Sequence, residues 1–240
     1  RRLKLAALAS NPAVTEELPG DAAGRDGEDS FVRAIQGKTS APSVKIFREV
    51  RVPHDAVPAR RFEIDVVLAC RSCLVVVEVK NWSGDVSPDP AQASSTATPG
   101  AGAWLQTRRD GSTLRHEDPL ALLRRKAASL AAWLSSVHGL DLPDGFVRIK
   151  LVLVNGRHLR VDPRLTALPA VYHHEAVDDA CAADLSWAGG LLAWMAGELL
   201  PWDKTRAMHA ALAAAPTWDV LRLEGGATLR GDFRGFEGPG

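Results

Sequence analysis

Val75-Val76-Val77-Glu78-Val79-Lys80-Asn81-Trp82 is a valine-rich run suited to a buried strand, yet it carries an acid and a base two positions apart. In an extended chain alternate side chains share a face, so Glu78 and Lys80 point one way while Val77 and Val79 point the other. A surface strand would alternate with polar residues, and Val75, Val76 and Val77 do not. Thirteen residues before Glu78, Phe62-Glu63-Ile64-Asp65-Val66-Val67-Leu68 repeats the oddity, with Asp65 among apolar strand formers. Paired as a hairpin, these strands bring two carboxylates to one sheet edge with Lys80 beside them.

Two acids in a partly buried cleft repel, and a divalent cation relieves that repulsion. Oxygen-only ligands with retained water point to Mg²⁺ or Mn²⁺. A metal ion held there binds a phosphate oxygen and lowers the pKa of an attacking water. Lys80 would orient that water and add positive charge. The pattern therefore predicts phosphodiester hydrolysis. An acid followed by Glu-x-Lys also arises by chance, most often as a surface salt bridge, so the apolar context carries the argument.

A chain of 240 residues buries about 70–75% of its unfolded surface. Hydrophobic residues at 46% and charged ones at 24% give the balance of a soluble globular protein. No apolar run approaches the ~20 residues of a membrane span, so no membrane partner is expected. The N-terminal Arg1 to Ser10 has too short an apolar stretch for a secretion signal, and the missing initiator Met reads as a fragment. Twenty-nine basic residues balance twenty-nine acidic ones, so attraction to a polyanion must come from local clusters. Three cysteines make no disulfide framework, which favours a reducing, cytoplasmic location. Cys70-Arg71-Ser72-Cys73 has metal-ligand spacing but lacks the second pair of a structural zinc site, and reads as a tight connection between the two acid-bearing strands.

Residues 1–23 read as irregular, and a helix is expected from about Gly27 to Gln36. Its Glu28 falls on the same face as Phe31, Val32 and Ile35. That acid either belongs to the site or lies in a first turn, where it meets the helix dipole. A strand from Val44 to Val52 follows, then a loop from Pro53 to Arg60. Residues 84–103, rich in Ser, Thr, Ala, Pro and Gly, read as a mobile loop. Trp104 to Arg108 and Thr113 to His116 predict a hairpin around Asp110-Gly111.

Asp118-Pro119 opens a helix to about Ser136. Leu120, Leu123, Ala127, Leu130 and Leu134 form its buried stripe, with Arg124 and Lys126 on the flanks and Arg125 further out. Flanking cations of this kind either reach a phosphate or form a solvated rim. Phe146 to Val154 is a further strand, and strands on both sides of a helix make an α/β layer. Helices are expected over Asp184 to Leu200 and Asp203 to Ala214, with Trp187 and Trp194 at core spacing. Val220 to Leu223 and Thr228 to Phe233 suggest a last hairpin, and His173-His174 reads as structural or surface.

Gly27-Glu28, Glu63-Ile64-Asp65-Val66-Val67, Val77-Glu78-Val79-Lys80-Asn81-Trp82-Ser83-Gly84, Trp104 and Asp118-Pro119 together resemble the NERD (nuclease-related) domain, a branch of the PD-(D/E)XK nuclease superfamily. The resemblance covers roughly Gly24 to Gly156 and is most specific in Glu78-Val79-Lys80-Asn81-Trp82-Ser83-Gly84. It implies an α/β fold, a nuclease-like mixed sheet flanked by helices, here with a C-terminal helical extension and a short hairpin. It also implies Asp65 and Glu78 as metal ligands for Mg²⁺ or Mn²⁺, Lys80 as the catalytic lysine, Glu28 as an auxiliary acid and ligand, and nucleic acid, DNA above all, as substrate. Arg108, Arg109, Arg124 and Lys126 are the candidate phosphate contacts. Two departures stand out: Leu122 replaces a Gln common in the family, and the loop before Trp104 is enlarged.

The expected organisation is an irregular segment over 1–23, a nuclease-like core over 24–156, a helical extension over 157–216 and a hairpin over 217–240 opening a further module. Thr217-Trp218-Asp219-Val220 and Leu229-Arg230-Gly231-Asp232 are similar to the segment after this domain in large kinase-bearing bacterial proteins, some of them in phage defence. That similarity implies other domains or subunits of a defence complex as partners. The competing reading is a nucleic-acid-binding or protein-docking scaffold that keeps the fold without cutting.

Overall fold

The computed structural model describes residues 19–36, 44–56, 61–92, 102–176, 184–185, 187–195, 199–216, 219–222 and 228–231. Helix α1 (Pro19–Gln36) leads into β1 (Lys45–Pro53), β2 (Arg61–Ala69) and β3 (Leu74–Lys80), which pair as an antiparallel meander. Next come β4 (Gly84–Pro88), the hairpin of β5 (Trp104–Thr107) and β6 (Thr113–His116), and the long helix α2 (Pro119–His138). The remainder is β7 (Val147–Leu153), β8 (Leu159–Val161), α3 (Pro163–Thr166), β9 (Val171–His173), α4 (Trp187–Met195), α5 (Trp202–Ala214), β10 (Asp219–Arg222) and β11 (Thr228–Gly231).

These strands make a five-stranded sheet in the order β1-β2-β3-β7-β9, a four-stranded sheet in the order β6-β5-β4-β8, and the β10–β11 pair. Both larger sheets are mixed: β3, β7 and β9 run parallel, as do β4 and β8, and the other neighbours are antiparallel. Parallel pairing of β3 with β7 requires a crossover, which α2 supplies. Its start is fixed by Asp118, whose carboxylate accepts the Leu120 and Ala121 amides, each at 2.9 Å, and by Pro119 behind it. Gly139, at φ 62°, ends it in the left-handed conformation that a glycine adopts without steric cost.

The first sheet is covered on both faces, which is why β3 reads as unbroken valine. Val75, Val77 and Val79 pack with Phe31, Val32 and Ile35 of α1. Leu74 and Val76 pack with Leu123, Leu130 and Leu134 of α2 and Met208 and Leu212 of α5. The alternation therefore turns Glu78 and Lys80 toward the α2 side. Gly27 lets α1 approach closely: a Cβ there would lie 3.0 Å from Val154 Cγ2 and 3.2 Å from Asn81 Cβ.

The β1–β2 ribbon changes phase at Asp65. Register is kept from Arg48↔Val66 to Val50↔Ile64, but Glu49 between them adopts φ 53°. On the α2 side, Phe47, Val67 and Ala69 give way across this point to Val50, Val52, Phe62 and Ile64. Pairing of β2 with β3 stops at Val66↔Val77, so β2 parts from β3 at Asp65.

Two stretches of chain pass side by side from the first sheet to the second, β3 into β4 and β7 into β8. Val154 donates its amide to Lys80 O at 3.1 Å and Gly84 donates to His158 O at 2.6 Å. At Gly84 (φ +90°) a Cβ would sit 2.0 Å from Thr107 O, so only glycine allows β4 to start against β5. The far end of β4 closes on itself: Asp89 donates its amide to Ala103 O at 2.8 Å, and its carboxylate accepts Ala91 N at 2.9 Å and Arg115 Nε at 2.8 Å.

Several expectations change. Helix α1 begins at Pro19, inside the segment expected to be irregular, while residues 1–18 lie outside the described ones. Glu28 is thus interior to the helix, which removes the first-turn reading. The stretch 84–103 is not all loop, since Gly84–Pro88 is a strand paired on both sides; residues 93–101 lie outside the described ones. Residues 157–216 are not only helical: β8 and β9 complete an edge of each sheet, and His173 lies in β9. The side chains of Trp187 and Trp194, residues 217–218 and residues 232–240 lie outside the described ones. Among the described residues no helix is long and apolar enough to cross a membrane.

Candidate active site

Where β2 leaves β3, the Asp65 carboxylate takes over from the ladder and accepts the Val79 amide at 2.8 Å. Asp65 and Glu78 are the next positions of the register after Val66↔Val77, which sets them opposite each other at the split. Glu78 is 5% exposed, and both its oxygens are held by ammonium groups. Lys80 donates to Oε1 at 2.7 Å, and Lys126, from α2, donates to Oε2 at 2.5 Å.

Burial raises the Asp65 carboxyl first, and Glu78 adds to it, against the pull of Lys126 and then Lys80, leaving it at about 6. Burial would raise Glu78 too, but the Lys126 and Lys80 ammonium groups outweigh it and hold this carboxyl below its ordinary value. For Lys80 burial works against the charge, yet Glu78 and Asp65 prevail and raise its pKa, so it is an ammonium at neutral pH. Removing one partner from a buried pair of this kind costs about 3–5 kcal/mol, because the other charge is stranded.

Glu28 approaches from the α1 layer. Burial, then Asp65, pushes its carboxyl up to about 7, although Arg48 lies 3.6 Å away. Its Oε2 is buried without a hydrogen-bond partner. A buried carboxylate oxygen without a hydrogen bond, close to two further hard carboxylates that raise each other's cost of ionisation, is what a divalent cation relieves. Asp65 and Glu78 thus fit Mg²⁺ or Mn²⁺ in donor type. Among the described residues, however, no group of three or more His, Cys, Asp or Glu side chains converges on one point, so Glu28 does not share such a position with both.

Beyond Lys80, Trp82 stacks on His116 with ring centres 4.2 Å apart. Gln106 donates its amide nitrogen to Ser83 O at 2.7 Å, which leaves its oxygen to accept from His116 Nε2 at 3.0 Å. Burial, then Lys80 and Arg108, holds His116 below its ordinary pKa, so the ring is neutral at pH 7. Arg108 and Arg109 are exposed at the β5–β6 turn, where Arg109 meets His158. Arg124 is exposed on α2, and Arg125 is committed to Asp55 through bonds of 2.8 and 2.7 Å. Cys70 and Cys73 are buried in the β2–β3 turn, where the Cys70 amide bonds Cys73 O at 3.0 Å.

Lys126 departs from the sequence reading. Expected with Arg108, Arg109 and Arg124 as a phosphate contact, and with Arg124 as a flanking cation that reaches a phosphate or forms a solvated rim, it is 8% exposed and pairs with Glu78 beneath the helix, which removes the solvated-rim alternative for it. Helical geometry held the signal: Lys126 lies three residues after Leu123 and four before Leu130, so it shares their face. Gln106 was also missed; as the alternate neighbour of Trp104 on a short strand it points inward and is 4% exposed.

No curated protein and no solved structure matches this chain. A family model described as a nuclease-related domain matches residues 23–154, a span that holds Glu28, Asp65, Glu78, Lys80 and Lys126. That match covers more than half of the 240 residues and takes in all but one strand of each of the two mixed sheets, the acid pair among them, and the chain belongs to the nuclease-related domain (NERD) family.

Proposed function

We propose that this chain is a Mg²⁺- or Mn²⁺-dependent nuclease that hydrolyses phosphodiester bonds in nucleic acid, with DNA as the substrate. The observation that carries the reading is the meeting of Asp65, Glu78 and Lys80 where β2 and β3 separate. Asp65 and Glu78 would hold the ion, with Glu28 as an auxiliary acid from the α1 side. Bound there, such an ion supplies Lewis acidity and a water of lowered pKa. Lys80, kept protonated by its two acids, cannot act as a base near pH 7; it donates to a phosphate oxygen or to the attacking water and offsets negative charge at phosphorus. Exposed Arg108, Arg109 and Arg124 are the phosphate contacts that fix the strand beyond the cleft. A cytoplasmic location, which rests on the three irregularly spaced cysteines, and a role in bacterial phage defence beside other domains or subunits, which rests on the C-terminal resemblance, belong to the same proposal.

The test is incubation of plasmid, linear DNA and RNA with the protein and Mg²⁺ or Mn²⁺, alongside Lys80→Ala and Asp65→Ala. Each substitution should lower the cleavage rate by about 100-fold or more. Cleavage that survives both equally would remove the assignment. One observation favours a second reading: both Glu78 oxygens are already paired with lysines, as in a non-cleaving nucleic-acid-binding scaffold. Tight, salt-dependent binding without product would favour that scaffold. Absence of binding would favour a protein-docking platform.

A further inference from the structure

The two ammonium groups on Glu78 have different origins. Lys80 stands two residues along the same strand, is partly open to solvent, and is also attracted by Asp65. Lys126 crosses from α2, is buried, and among the described residues has Glu78 as its one acceptor. Its reach extends further, since of the two cations acting on Asp65 it is the stronger. Lys126 Nζ thus occupies the Glu78 oxygen that an ion shared with Asp65, the opposite position of the strand register, would need. An ion and an ammonium group contending for the same carboxylate oxygen repel each other in a site too dry to screen them.

Resting on the nuclease reading above, we propose that Lys126 and a divalent ion compete for one place between Asp65 and Glu78, so that metal binding expels the Lys126 ammonium from Glu78 Oε2. Lys126 is then the positioning residue that sets metal affinity, and the cation that keeps the acid pair from repelling when no ion is held. Once displaced, its ammonium is available to a phosphate oxygen of the substrate.

Two measurements on the full chain, without nucleic acid, decide the matter. Calorimetric titration with Mn²⁺ should find Lys126→Met binding at least about tenfold tighter than the unaltered chain, the lower bound of what an adjacent charge does to a carboxylate's cation equilibrium. In the unaltered chain, acylation of lysines by an amine-reactive reagent, read by mass spectrometry, should find Lys126 protected without Mn²⁺ and modified several-fold faster at saturating Mn²⁺. The second measurement needs no variant and decides alone if Lys126→Met fails to fold. Mn²⁺ binding that leaves Lys126 protected overturns the competition while sparing the metal site. No Mn²⁺ binding by either protein removes the metal reading, and this inference with it.

Discussion

Glu28 is the residue at which fold and site pull in opposite directions. Its carboxyl is raised from the ordinary 4.5 to about 7 by burial and by Asp65, so ionisation costs the folded state more than the unfolded one. For a group raised in this way the stabilising contribution is complete below about 4.5 and is lost as pH rises through about 7. Glutamine mimics the protonated form. In metal-free buffer at pH 8, Glu28→Gln should therefore be more stable than the unaltered chain by on the order of 1–3 kcal/mol, with no difference at pH 4. Urea denaturation at the two pH values checks this, and an equal gain at both would show that charge is not the cause. Legibility at this scale was uneven. Asp65, Glu78 and Lys80 stood out because charge is costly among valines, whereas Lys126 was concealed by a long aliphatic stem that passes as a helix flank.

Among the elements, α2 was the most readable, since Asp118, Pro119 and Gly139 each act through local backbone geometry that sequence states directly. The helix is also the bridge that carries Lys126 to Glu78. Asp118→Ala should lower global stability by about 1–2 kcal/mol, because two amides of the first turn lose their acceptor. Gly102 loses one as well, its amide lying 3.0 Å from Asp118 Oδ2. A shift in the urea midpoint at unchanged slope would show this, and an unshifted midpoint would mean that Pro119 alone sets the start. Less of α1 and β4 was legible. Gly20 and Gly24 disguised the first turns of α1, and β4 takes its strand character from partners on either side rather than from its own Ser- and Pro-containing sequence.

For the molecule as a whole, the family match ends at residue 154 while the sheets do not. Strands β8 and β9, each three residues long, come later in the chain and cover edges of β4 and β7. Such short strands have no periodicity to detect and exist only through pairing, which is why the extension read as helical. A chain cut after residue 156 should aggregate and lose its cooperative thermal transition, and one cut after residue 216 should keep it; size exclusion and melting curves distinguish them. A soluble, cooperatively melting 1–156 fragment would contradict this. The clasp at Asp89, closed by Ala103 O and Arg115, has a different bearing. Because hydrogen bonds at Asp89 tie the end of β4 to the start of β5 and to β6, the spacing of these strands does not depend on the length of chain that joins them, and a fluorophore or epitope grafted there would leave both carboxylates untouched.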